Sequence, residues 1–393
     1  MQSPWQTILQ DAVSLRHTLH RSPELSWQEQ QTAQRVRQAL DQLNIPWRVC
    51  AKHGTVGTLA PHAKGEHIAL RGDMDALPIH ELTDIDYRSE VSGCMHACGH
   101  DGHTAALWAT AAWLKQQEDR LPGPVSLIFQ PAEEGGHGAR EMIADGALDG
   151  VDYIFGWHNW PAIPLGQAVC PDGPVMSGNG TFRIDVTGQG GHASQPELCR
   201  DPVLAAAAIT LNLQQIVSRR LPPQAAAVVS VSSVRADAAP TVTPELATLT
   251  GSIRLSDPSL RGTLNALIQQ ISEDTARSYG VSATVTSEAR YEATINHASA
   301  ASRYRQALEE ELGANWCMDS MPQPIMASED FSYYLQQIPG AFALIGMGGE
   351  PRFQYPCHSP HYQFNDALLA PVVSVFSRLV GADIPASPEN SHP

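Results

Sequence analysis

Val125-Ser-Leu-Ile-Phe-Gln-Pro-Ala-Glu-Glu134 is an apolar run with almost no polar alternation, stopped by a proline and followed at once by two carboxylates. A strand with one wet face alternates, whereas one covered on both faces does not, and the second pattern belongs to a parallel sheet flanked by helices. His67-Ile-Ala-Leu-Arg71, Tyr153-Ile-Phe-Gly156 and, far downstream, Ala341-Phe-Ala-Leu-Ile345 read the same way. An apolar helix over about Thr104 to Gln117 lies between the first two strands, and helical periodicity covers roughly Gln6 to His20 and Gln28 to Leu43. The expected class is α/β, with a mostly parallel sheet covered by helices.

The middle of the chain has a different rhythm. From Thr181 the order is strand (to Thr187), helix (Pro202 to Arg219), strand (Ala226 to Val234), strand (Ala247 to Leu255), helix (Leu260 to Tyr279) and strand (Val281 to Ala289). That is βαββαβ, the ferredoxin-like pattern. Because the Ala341 strand suits the first sheet, the small domain is expected as an insertion at 179–290, with a discontinuous large domain at 1–178 and 291–393. A length of 393 residues fits two domains.

Composition excludes several function classes. A formal net charge of −16 argues against nucleic acid or an anionic membrane as a partner. No apolar run approaches the ~18 residues of a spanning helix. The start, Met1-Gln-Ser-Pro-Trp5, does not read as an export signal, so cytoplasmic residence is the expectation. Seven cysteines, an odd number spread from Cys50 to Cys357, point to reduced thiols rather than a disulfide framework. Only the tail from Pro385 looks loose.

Ligating and titrating residues gather where strands end. Gly93-Cys-Met-His-Ala-Cys-Gly-His-Asp-Gly-His103 holds six such groups just before the Thr104 helix. Asp73 and Asp75 follow the Ile68 strand, Glu133 and Glu134 the Val125 strand, and His158 ends the Tyr153 strand. His358, in Cys357-His-Ser-Pro-His361, follows the last strand by a longer loop. Sites in open parallel sheets form beyond the carboxyl ends of the strands, so these groups can converge.

Cys98, His100, Glu134, His158 and His358 form a thiolate, imidazole and carboxylate set suited to borderline transition metals such as zinc, manganese, cobalt or nickel. Five ligands exceed the needs of one four-coordinate catalytic ion. Two divalent metal ions sharing a ligand is the economical reading, able to polarise a carbonyl and hold a nucleophilic water together. Adjacent carboxylates diverge, so one can ligate while the other acts as base; we assign Glu133 as base and Glu134 as ligand, an order the spacing leaves open.

Plainer readings compete. Cys94 and Cys98 could be half of a structural zinc site, but the other cysteines are isolated. His96 and His103 read as support for the ligands or as helix-start residues. Asp73 and Asp75 could cap a turn before Pro78, and Asp75 is the better candidate to orient a ligating histidine. Glu133 and Glu134 alone would be a solvated pair, were they not set after a buried strand and before two glycines. His17, His20, His53 and His392, among other histidines, default to surface or packing roles.

At these residues the chain resembles the hippurate hydrolase and auxin-conjugate amidohydrolase branch of the di-metal aminoacylase and carboxypeptidase family. The matching stretches are Arg16-His-Thr-Leu-His-Arg-Ser-Pro-Glu-Leu25, Arg71-Gly-Asp-Met-Asp-Ala-Leu-Pro78, Met95-His-Ala-Cys-Gly-His-Asp101 and Phe129-Gln-Pro-Ala-Glu-Glu134. Trp157-His-Asn159, Gly190-Gly-His-Ala193, Ser328-Glu-Asp-Phe331 and His358-Ser-Pro360 follow in order across nearly the whole chain. The resemblance implies a metal-dependent hydrolase of N-acylated amino acids, with Cys98 bridging two metals, His100, Glu134, His158 and His358 completing the ligands, and Glu133 as base. It implies a homodimer through an inserted lid, His192 stabilising the oxyanion in the partner's site, and Arg254 meeting a substrate carboxylate.

Two departures fall in the inserted domain. Thr241-Val-Thr-Pro244 stands where relatives often carry an Asn-x-Ile-Pro element, and Glu197 follows Pro196 where many have histidine. Both bear on substrate choice. The expected reaction is attack by a metal-bridging water, deprotonated by Glu133, on an amide carbonyl polarised by one metal, after which Glu133 protonates the amine. A dipeptidase or carboxypeptidase using the same site is the alternative. A catalytically silent binding protein would show lost ligands, and none is lost; a structural zinc protein would unfold on chelation.

Overall fold

The structure, a computed structural model, describes residues 3–385. The loose tail expected from Pro385, with His392 in it, lies outside those residues beyond Pro385. The chain divides into two compact units, one of Met1–Val175, Ile295–Gln323 and Asp330–Pro393, the other of Met176–Thr294 and Pro324–Glu329. The smaller unit therefore starts a little before 179, runs past 290, and takes in a second short segment that the βαββαβ pattern gives no hint of.

In the larger unit a seven-stranded sheet has the order Trp47–Cys50, Gly54–Leu59, Val125–Gln130, Ile68–Asp73, Tyr153–Pro164, Gly340–Gly348, Ala168–Val169. Its four central strands are parallel. Antiparallel strands flank them on both sides, and these short or glycine-containing pieces are not apparent from sequence pattern. Val125–Gln130 and Ile68–Asp73 are buried along their whole length, which is why neither alternates.

The His100–Lys115 helix crosses this sheet almost wholly buried, packing Leu107, Ala111 and Leu114 into the main core. It is apolar on nearly every face because it is covered on nearly every face. Its start lies four residues before the expected Thr104, so His100 sits in the first turn. Gly99 permits this with φ of 94°, and a Cβ there would stand 2.3 Å from Asn159 Oδ1. The Pro4–Arg21 and Leu369–Leu379 helices, with Trp5, Leu19, Val372 and Phe376 buried, complete the cover.

The smaller unit is an antiparallel four-stranded sheet in the order Ala227–Arg235, Leu246–Leu255, Gly178–Thr187, Ser282–Ala289. Two helices, Pro202–Leu213 and Leu260–Ser278, cover one face around Ile184, Leu249, Ile209 and Ile268. This is the ferredoxin-like arrangement. The first helix ends at Leu213 rather than Arg219, and a wider helical turn, Ile216–Arg220, follows. Among the described residues no helix is long and apolar enough to cross a membrane.

Candidate metal centre

Strand ends of the larger unit bring the donor groups together. Cys98, His100 and His158 offer ligand atoms within 4.8 Å of one another, and so do Cys98, Glu134 and His358. The Cys98 thiol belongs to both sets. His100, Glu133 and Glu134 form a further set at the same spacing.

Each histidine is oriented by what its far nitrogen touches. His100 Nδ1 lies 2.9 Å from the Asp75 carbonyl oxygen, so that nitrogen carries the proton and Nε2 presents a lone pair. Nε2 is buried and has no hydrogen-bond partner. His158 repeats the device: Nδ1 is 2.6 Å from the Asn159 carbonyl, and Nε2 points at Cys98 Sγ, 3.3 Å away. His358, its side chain 53% exposed, holds Nε2 3.1 Å from Glu134 Oε1. Its backbone is left-handed, φ 69°, and its N–H donates to Ala97 at 2.8 Å, so the loop is fastened beside Cys98.

Asp75 is a fully buried clamp. Its Oδ1 accepts the Glu133 N–H at 3.0 Å and its Oδ2 the Glu134 N–H at 2.9 Å, while Ser26 Oγ donates to Oδ2 at 2.6 Å. The adjacent carboxylates stay within 4.8 Å of each other beside His100 but take different further partners: Glu134 lies with Cys98 and His358, whereas Glu133 Oε1 accepts the Asp330 N–H at 3.2 Å. Asp330 is fixed in turn by Arg71 Nη2 at 2.9 Å, by Gln130 Nε2 at 2.9 Å and by the Ala139 N–H at 2.9 Å.

The electrostatics follow from burial and a surplus of carboxylates. Burial opposes a charge on His100, yet Asp73, Asp75 and Glu134 outweigh it and raise its pKa well above the ordinary value. Burial first, and then His103 and His100, hold His158 well below it. Contact with the Cys357 thiol, burial and Glu134 push the Cys98 thiol well up. A divalent cation reverses these preferences, because it competes with protons for the same lone pairs and draws a thiol to thiolate. Mixed sulfur, nitrogen and carboxylate donors around an orphaned buried imidazole nitrogen fit a pair of divalent transition-metal ions.

The other residues singled out in the sequence divide. Asp73 and His103 form another donor set with His100 at the same spacing, but they bond each other at 2.6 Å, with His103 Nε2 on Asn159 Oδ1 at 2.7 Å. Cys94 packs its thiol on the Pro23 carbonyl and joins none of the sets found among the described residues. His96 is buried with neither ring nitrogen bonded. His20, expected on the surface or in packing, is buried between Asp101 and Glu81. In the smaller unit, His192 is exposed on a two-residue strand, its Nδ1 2.7 Å from Ser194 Oγ. Arg254, half-buried, donates to Ser328 Oγ at 2.7 Å.

Sequence reasoning missed Arg71, Asp330 and Glu29 as support for the Glu133 loop. One signal was available for Arg71: an arginine inside an otherwise apolar, non-alternating strand needs a buried carboxylate partner.

Known proteins resemble this chain over most of its length. The model of the "Peptidase family M20/M25/M40" matches residues 69–382. The chain belongs to that family. Within it, the chain is 37% identical to "IAA-amino acid hydrolase ILR1-like 2" of Arabidopsis thaliana, covering 91% of this chain and 81% of that one. It is 36% identical to "Hippurate hydrolase" of Campylobacter jejuni, covering 93% and 94%. Among solved structures, the Bacillus subtilis YXEP protein, described as a dinuclear metal binding peptidase of the M20 family, superposes with a TM-score of 0.83 at 31% identity, covering 95% and 98%. As an M20 member, the chain is a hydrolase of amide bonds in small amide or peptide substrates.

Proposed function

We propose that this M20 hydrolase cleaves the amide of N-acyl amino acids, hippurate-like, N-acetyl or other acyl conjugates, with Glu133 carrying the proton. The observation that carries the reading is the difference in partners between Glu133 and Glu134, which both stand within 4.8 Å of His100. One carboxylate stands with a thiol common to two donor sets, and the other is aimed by a backbone N–H.

Cys98, His100, Glu134, His158 and His358 would hold two ions, zinc, manganese, cobalt or nickel, with Cys98 shared. Bound there, the pair would polarise the amide carbonyl and acidify a water. Glu133 takes the proton released on attack and delivers it to the leaving nitrogen. Asp75 keeps both glutamates in register through their N–H groups and orients His100. For His192 we propose oxyanion stabilisation, and for Arg254 contact with a substrate carboxylate, on the likeness of their motifs alone. The inserted segment, proposed as 179–290, would serve as lid and homodimerisation element. The seven cysteines of the chain, all free, favour cytoplasmic residence.

Glu133→Ala should retain metal and lose most turnover; hydrolysis of N-acyl amino acids at the wild-type rate would sink the mechanism. Apo protein reloaded with each metal, assayed on N-acetyl, N-benzoyl and indole-acyl amino acids, identifies acyl group and metal together. The B. subtilis structure is described as that of a peptidase, so a dipeptide belongs in the same assay, and a faster rate on it would favour the dipeptidase reading.

A further inference from the structure

Glu29 stands at the N-cap of the Gln30–Gln42 helix, where a carboxylate ordinarily accepts the first free N–H groups of its own helix. Here Glu24 does that, accepting from the Gln31 N–H at 3.1 Å and the Thr32 N–H at 2.8 Å. The Glu29 carboxyl is fully buried and reaches instead to the loop after the Val125–Gln130 strand. Its Oε1 accepts the Ala132 N–H at 2.8 Å, and its Oε2 has no hydrogen-bond partner.

Ala132 decides how that loop runs. Its φ is 56°, a left-handed conformation that strains a residue with a Cβ. Its carbonyl is tied as well, accepting the Gly138 N–H at 3.0 Å. The following turn is laced to the same segment, since Trp27 Nε1 donates to the Gly136 carbonyl at 3.0 Å. A Cβ on Gly136 would stand 2.7 Å from both the Ala132 Cβ and Trp27 Nε1. The left-handed residue immediately precedes the pair whose N–H groups both face Asp75.

We propose that Glu29 is a positioning residue for amide hydrolysis, holding Ala132 in its left-handed turn and thereby aiming Glu133. The inference rests on the reading of Glu133 as base. A neutral carboxyl suffices to hold the turn. Burial, then the charge of Asp75, pushes Glu29 up to about 8, which favours the neutral carboxyl, and Oε1 can accept the Ala132 N–H in either form. Glutamine reproduces that arrangement. Alanine does not.

The test compares kcat, KM for an N-acyl amino acid, bound metal and melting temperature in Glu29→Gln, Glu29→Ala, Ala132→Gly and the double variant, with Glu133→Gln alongside. Glu29→Ala should lower kcat about tenfold to a hundredfold with KM and metal content near wild type. Glu29→Gln should restore most of it. Combined with Ala132→Gly, which adopts the left-handed turn without strain, Glu29→Ala should cost less than about threefold. Wild-type kcat in Glu29→Ala, or the same loss in both backgrounds, overturns the inference. Should the alanine variant not fold, Glu29→Asp, one methylene short of Ala132, takes its place with the same expected loss. Glu133→Gln separates the two readings: if it turns over normally, the base assignment fails. If it is dead while Glu29→Ala is fully active, the base stands and the positioning role falls.

Discussion

His100 and Asp101 are chain neighbours, both fully buried, and they head clusters that answer burial in opposite ways. Asp101 Oδ2 takes Arg16 Nη1 at 3.0 Å and His20 Nδ1 at 2.8 Å, and Arg16 also binds Asp366 while stacking on Tyr87. Burial opposes the Asp101 charge, yet His20, His96 and Arg16 outweigh it and hold the carboxyl well below its usual range. On the His100 side, Asp75, Glu133, Glu134 and the Cys98 thiol meet, and Arg71 is taken up by Asp73 and Asp330. One cluster supplies its own cations; the other has donors in surplus, which protons or metal ions can neutralise. The same ten residues of chain therefore serve a closed structural knot and an open chemical one.

Metal removal should act on the open cluster alone. A chelator should bring amide hydrolysis to background and lower the melting temperature, because ions that bind only the folded state stabilise it by mass action. Reloading should restore both. Circular dichroism should show the fold kept; unfolding on chelation would mean that the open cluster is as structural as its neighbour.

Next in size is Glu133→Gln, which removes the proton carrier and should cost roughly 100- to 10,000-fold in kcat. Metal content and denaturation midpoint should stay near wild type. A midpoint shift as large as the loss of activity would place Glu133 among the structural residues.

The closed cluster should behave the other way. Arg16→Met leaves Asp101 buried beside His20 without its guanidinium, and breaking a buried pair from one side costs about 3–5 kcal/mol. Urea unfolding should show that loss, while the surviving folded fraction keeps its metal and its kcat. A selective fall in kcat at unchanged stability would tie the two clusters together.

How far these clusters could be read from sequence depends on range. The strands Val125–Gln130 and Ile68–Asp73 were legible because burial on both faces leaves a local mark, and their ends predicted where Asp75, Glu133 and Glu134 gather. The start of the helix at His100 was not, since Gly99 begins it by a left-handed turn rather than a Ser or Asp cap. Edge strands such as Trp47–Cys50 carry too little pattern to stand out. Arg16, His20 and Asp101 were opaque for another reason: a salt-bridged interior charge looks like a surface charge until residues 85 positions apart meet. Glu29 was hidden likewise, because its helix begins where a capping carboxylate is ordinary.

The narrowest expected effect, confined to one pH window, comes from Glu29, where the carboxylate surplus can be measured without assaying turnover. Its carboxyl is raised from the ordinary 4.5 to about 8 by burial and then by Asp75. For a group whose folded-state pKa is raised, the stability it allows is fully present below the unfolded value and is lost as pH rises through the folded one. Wild-type stability should thus fall between about pH 4.5 and pH 8, by on the order of 1 kcal/mol per unit from this group. Glu29→Gln cannot ionise, so its curve should be flatter across that window and the variant more stable than wild type at pH 8. Parallel curves would mean that Glu29 is already ionised in the fold. Adding metal sharpens the contrast: cations beside Glu134 should pull the wild-type transition downward, while stability differences set by Arg16 should stay where they are.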